Sequence, residues 1–109
     1  MTTWFISRHP GAIQWMQTHG PAYDHHVAHL DVTTIQAGDT VIGTLPINIA
    51  AQVCERGAQY WNLSLQMPPH ARGQELSAEE LQALGTMLER FEVRKLPAQL
   101  PAATPANTR

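Results

Sequence analysis

A single cysteine, Cys54, leaves this sequence without any intrachain disulfide. It also has a single lysine, Lys95, against six arginines, and its formal net charge is −2. A duplex-binding surface normally carries a strong basic excess, so double-stranded nucleic acid is not the expected partner. No apolar run approaches the ~20 residues of a membrane span. No secretory leader precedes the first apolar segment, and the cytoplasm is the expected location. Glycine-rich phosphate loops of the GxGxxG or Walker type are missing, which removes the dinucleotide and P-loop readings. Charged residues make up only 15% of the chain and apolar ones 43%, the reverse of what disorder requires.

What is present is the alternation of an α/β fold. Thr2 to Ser7 is β-branched and aromatic and stops at Arg8-His9-Pro10-Gly11, a strand running into a turn. Pro10 suits the first turn of a helix, and Ile13, Trp15 and Met16 give that helix its apolar positions until Gly20 and Pro21 end it. A weaker strand from Val27 to Val32 is placed at an edge. Thr40 to Leu45 reads as a buried strand, followed by a helix opened by Pro46 and closed by Gly57. Gln59 to Leu65 is the next strand. Ser77 with Glu80 forms a capping-box pattern that predicts a helix through Leu81, Leu84, Met87, Leu88 and Phe91, with a short last strand over Val93 to Leu96.

Strands alternating with helices at this spacing predict a small Rossmann-like three-layer sandwich with a mostly parallel sheet of four to five strands. One domain is expected over residues 1–96. Residues 97–109, with three prolines and several alanines, are expected to form a flexible tail.

In an open parallel sheet, ligands bind beyond the carboxyl ends of the strands where the strand order reverses. If the first strand neighbours the third, two turns line that crevice: Ser7 to Gly11 and Gly43 to Asn48. Each leads into a helix, so backbone N–H groups and a partial positive charge converge there. Arg8 adds a planar cation suited to phosphate. His9 adds a titratable group, and Thr44 and Asn48 add neutral hydrogen-bonding groups. Ordinary alternatives stand beside these: Arg8 and His9 as a polar strand end, Thr44 as a helix cap, Asn48 as a local solvent contact. Arg72, in a loop rich in proline and glycine, either reaches over the crevice or has no role in it.

The stretch Asp24-His25-His26-Val27-Ala28-His29-Leu30-Asp31 puts His25 and His29 on one face. A strand spreads such side chains too far for one ion, so edge-strand histidines without metal are expected. His19 and His70 read as surface residues. Cys54 reads as a buried, inert thiol, and Trp4, Trp15 and Trp61 as residues of the core or of a subunit face.

Taken together, Trp4 to Ala12, His29-Leu30-Asp31, Gly38 to Asn48, Leu63-Ser64-Leu65 and Arg72 to Ser77 carry a resemblance. They resemble the small CRISPR-associated Csx family numbered sixteen, found beside type III CRISPR systems, over residues 2 to about 93. That family is grouped with the ring nucleases. The resemblance implies a homodimeric, Rossmann-like enzyme that needs no metal or other cofactor. It would degrade cyclic oligoadenylate second messengers, chiefly cyclic tetra-adenylate, to linear products ending in a 2′,3′-cyclic phosphate.

Chemistry then assigns the roles. Attack by the substrate's own 2′-hydroxyl needs in-line positioning and stabilisation of the phosphorane. Arg8 is the expected phosphate clamp. His9 is the expected acid or base, and Asn48 the third member of the catalytic set. Ser7, Gly11, Thr44, Leu45 and Arg72 are the expected ligand-binding residues. The alternative from another class is a non-catalytic protein that sequesters or senses the same ligand.

Overall fold

A computed structural model of the chain describes residues 1–66, 68, 69, 73–98 and 100. Its elements are β1 (Thr3–Ile6), α1 (Pro10–His19), β2 (His25–Val27), a 3₁₀ turn (Val32–Thr34), β3 (Thr40–Gly43), α2 (Ile47–Glu55), β4 (Gln59–Ser64), α3 (Ala78–Ala83) and β5 (Met87–Phe91). The five strands form one sheet in the order β2-β1-β3-β4-β5. All neighbours are parallel except β4 and β5, which run antiparallel. This is the expected three-layer, mostly parallel α/β sandwich.

Alternation along the strands divides the core in two. Phe5, Ile42 and Leu63 face α1 and α3, where Ala12, Trp15, Met16, Leu76 and Leu81 complete one cluster. Ile6, Val41 and Tyr60 face α2, where Ala50 and Val53 complete the other. Trp15 donates its indole N–H to Gln82 Oε1 at 2.8 Å, which ties α1 to α3.

Three expectations about the elements are corrected. The edge strand is His25–Val27, and the chain turns away before Val32, which opens the 3₁₀ turn instead. The helix begun by the Ser77–Glu80 capping box ends at Ala83, not at Phe91. Gly85 adopts φ +74°, and the Thr86 hydroxyl and amide both turn back to the Leu81 carbonyl. Met87–Phe91 then extends along β4, so the last strand lies there and not over Val93 to Leu96. Of the expected tail, residues 99 and 101–109 lie outside the described residues, and Leu100 is exposed.

The start of β1 is fixed by Asp39, which is buried at the turn before β3. Its carboxylate accepts from Thr2 N–H at 3.0 Å, Gln36 N–H at 3.0 Å and the Trp4 indole at 3.3 Å. The Gln36 amide first, then the Thr2 amide and the Trp4 indole N–H, hold the carboxyl below its usual range although burial opposes them. A depressed folded value means that the stabilisation is full above the unfolded pKa of about 3.9. It is lost as pH falls through the folded value. Asp39→Ala strands three donors and is expected to lower stability by about 2–4 kcal/mol. Urea denaturation measures this, and a loss below about 1 kcal/mol would remove Asp39 from the anchor.

Candidate functional site

The sheet order makes β1 the neighbour of both β2 and β3. The order therefore reverses between the β1–α1 and β3–α2 turns, as the crevice argument requires. A cleft of about 720 Å³ opens at these carboxyl ends. Phe5, Leu63 and Leu81 give it an apolar floor, Ser7, Arg8 and His9 form one rim, and Gly43 with Thr44 another. A third wall comes from Gln74, Glu75 and Leu76, just before α3.

Arg8 is exposed on the rim, and its guanidinium has no partner among the described residues. Ser7 is half-buried. Its hydroxyl accepts the His9 amide at 3.1 Å, and its carbonyl lies 2.9 Å from His26 Nε2. Thr44 is exposed in the cleft and donates its hydroxyl to the Leu63 carbonyl at 3.3 Å, so it does not cap α2.

The start of α1 is more occupied than the sequence implies. His9 is the N-cap, and its Nδ1 accepts the Ala12 amide at 3.2 Å. Its Nε2 lies 3.3 Å from the Leu76 amide, which donates toward it. Gly11 is buried, and a Cβ built there would lie 1.8 Å from the Leu76 carbonyl oxygen. Gly11 thus serves close packing of the third wall on α1 rather than an open amide cradle. Gly43 plays a similar part between strands, since a Cβ there would come within 2.8 Å of the Ile6 carbonyl.

The start of α2 differs. Pro46 is its N-cap without a side-chain bond, and the Ile47 and Asn48 amides have no partner among the described residues. Leu45 N–H donates to Tyr60 Oη at 3.0 Å. Asn48 is exposed, but it lines a separate groove with Ala51, Gln52, Arg94 and Lys95. The structure therefore brings Ser7, Arg8, His9 and Thr44 into one cleft and leaves Leu45 and Asn48 off its lining. Arg72 and His70 lie outside the described residues.

Sequence reasoning leaves three lining or neighbouring residues outside the site: Gln74 and Glu75, which enter only through the resemblance, and His26, which reads as an edge-strand histidine. The first two sit in a loop without periodicity, 64 residues or more beyond Pro10 in the chain. His26 stacks on Phe5 at 5.3 Å between ring centroids, and no spacing rule marks it as different from His25, which lies tilted against Trp4 at 4.7 Å. Among the described residues, no group of three histidine, cysteine or acidic side chains is arranged to hold a metal ion. Cys54 is half-buried rather than buried, and its sulfur accepts the Val93 amide at 3.4 Å. No helix among the described residues is long and apolar enough to cross a membrane.

Compared with known proteins, residues 4–94 match a family model described as "Putative CRISPR-associated protein (Cas_VVA1548)". No curated protein and no solved structure matches the chain.

Proposed function

The chain belongs to the Cas_VVA1548 family of CRISPR-associated proteins, and from that premise we propose that it is a metal-independent ring nuclease for cyclic oligoadenylates, chiefly cyclic tetra-adenylate. The observation that carries this reading is Arg8. A guanidinium without a partner among the described residues lines a cleft at the strand-order reversal, together with the apolar Phe5, Leu63 and Leu81 and the hydroxyl of Thr44. Apolar floor suits a nucleobase and the fork of Arg8 suits a phosphate. The resemblance to the Csx family numbered sixteen supports the same substrate class.

In the proposed reaction the ribose 2′-oxygen forms a bond to the adjacent phosphorus, and the bond from phosphorus to the 5′-oxygen breaks. The 2′-hydroxyl gives up its proton and the 5′-oxygen gains one, so no water is consumed. The product is linear and ends in a 2′,3′-cyclic phosphate. Arg8 clamps the phosphate, and Ser7 and Thr44 position oxygens around it. A two-fold homodimer would offer this cleft twice to a ligand of matching symmetry.

A second reading has its own support. Both ring nitrogens of His9 face backbone amides, which leaves no uncommitted imidazole among the described lining residues and favours a protein that binds the ring without cutting it. Incubation with labelled cyclic tetra-adenylate in EDTA separates the two. Linear product is the expected result. Intact ligand co-eluting with the protein would sink the nuclease reading and support sequestration, and cleavage abolished by EDTA would sink the metal-independent mechanism.

A further inference from the structure

His9 meets a donor at each ring nitrogen: Ala12 N–H at Nδ1 (3.2 Å) and Leu76 N–H at Nε2 (3.3 Å). A neutral imidazole has one acceptor nitrogen and one N–H. At any moment, therefore, one of these two contacts sets an N–H against an N–H. With the proton on Nε2, His9 caps α1 and releases Leu76. With the proton on Nδ1, it holds Leu76 and leaves the Ala12 amide uncapped. The two distances differ too little to choose between these arrangements.

The Leu76 side of this choice controls a wall of the cleft. Gln74, Glu75 and Leu76 line the same cleft as Arg8. The wall is preceded by Gly73, at φ +78°, a left-handed conformation that glycine adopts without strain. It is followed by Ser77, locked by the capping box of α3. Between these, the Leu76 side chain is buried and its carbonyl presses on Gly11. The Leu76 amide adds a hydrogen bond between the wall and the N-cap of α1, and His9 is its only partner among the described residues.

We infer that His9 is a positioning residue, a tautomeric latch that sets whether the Gln74–Leu76 wall is fastened to α1. Its bearing on catalysis rests on the function proposed above, but the latch itself does not. With the Nδ1–H tautomer, the Leu76 amide of the cleft wall is bonded to the N-cap of α1. With the Nε2–H tautomer that bond is absent, and the buried Leu76 side chain and the Ser77 capping box alone hold the wall.

Nitrogen-15 spectra of the protein labelled at histidine, taken at pH 8, read the latch directly. Both ring nitrogens of His9 are expected at values between those of a bare and a protonated nitrogen. A single pure tautomer would overturn the proposal. His9→Asn supplies the second readout, because asparagine is a favoured N-cap that reaches the Ala12 amide but not Leu76. Hydrogen exchange at the Leu76 amide is expected to rise at least ~10-fold while Ala12 stays protected. An unchanged Leu76 amide overturns the latch.

With labelled cyclic tetra-adenylate, the same variant is expected to change KM several-fold and kcat less than about twofold. A kcat loss of about 100-fold or more would instead make His9 a proton donor or acceptor. If no cleavage occurs in any variant, the function proposed above fails, and the spectra and amide exchange still decide the latch.

Discussion

Arg8→Ala is expected to slow cleavage of cyclic tetra-adenylate by about 100-fold, the scale on which removal of one preorganised charge-stabilising donor acts. Affinity is expected to fall with it, since hydrogen bonds to a charged group contribute roughly 1.5–3 kcal/mol. The same substitution should leave thermal stability unchanged. Arg8 is exposed and makes no contact with a partner among the described residues, so the folded state loses little without it. That combination distinguishes a ligand clamp from a structural cation such as Arg56. The latter donates from Nε to the Ile35 carbonyl at 3.0 Å and from Nη2 to the Thr33 carbonyl at 3.1 Å, and so fastens the 3₁₀ region to the end of α2. Arg8→Lys keeps the charge but not the fork, and should fall between wild type and alanine. Equal rates for wild type and Arg8→Ala would remove this rim from the site.

The turn at Arg8 was legible because local chemistry dictates it. Pro10 cannot extend a strand and has no amide to leave unpaired at a helix start. The strand-order reversal was legible as a conditional, and the pairing of Ile6 with Val27 on one side and Gly43 on the other fulfils it. Sequence alone presents His9 as a chemical group, yet its place in the structure is that of a cap. The reason is distance in sequence: its second contact, Leu76, is 67 residues away and no local pattern announces it. Asn48 follows β3 closely, which in sequence points to the crevice. One helical turn is enough to point residues apart, and α2 presents Asn48 to the groove that also holds Arg94 and Lys95.

The end of α3 shows how a pattern misleads. Leu81, Leu84, Leu88 and Phe91 recur at helical spacing, but Leu88 and its neighbours equally satisfy a strand against β4, where Leu88 packs into the core and Met87 and Phe91 stay exposed. Gly85 was the available signal. A glycine inside a helical pattern lowers helix stability by about 1 kcal/mol and here takes the left-handed conformation that stops it.

Gly11→Ala is the stability counterpart of the Arg8 experiment, and two opposed effects decide its sign. Alanine raises helix propensity by about 1 kcal/mol over glycine in a helix interior, and by less in the first turn. Against that, its Cβ would stand 1.8 Å from the Leu76 carbonyl oxygen and 3.0 Å from the His9 ring. The first atom is backbone and cannot rotate away. Leu76 itself is held by a buried side chain in the cluster of Phe5, Ala12 and Leu81, so relief requires the whole wall to lift from α1. Overpacking of this kind costs about 1–3 kcal/mol, and lifting the wall also surrenders the amide contact with His9. The net expectation is a loss of about 2 kcal/mol, measured by urea denaturation with an unchanged m-value. It should be accompanied by faster exchange of the Leu76 amide. A variant as stable as wild type would mean that the wall does not pack on Gly11 in solution, and that the third side of the cleft is open.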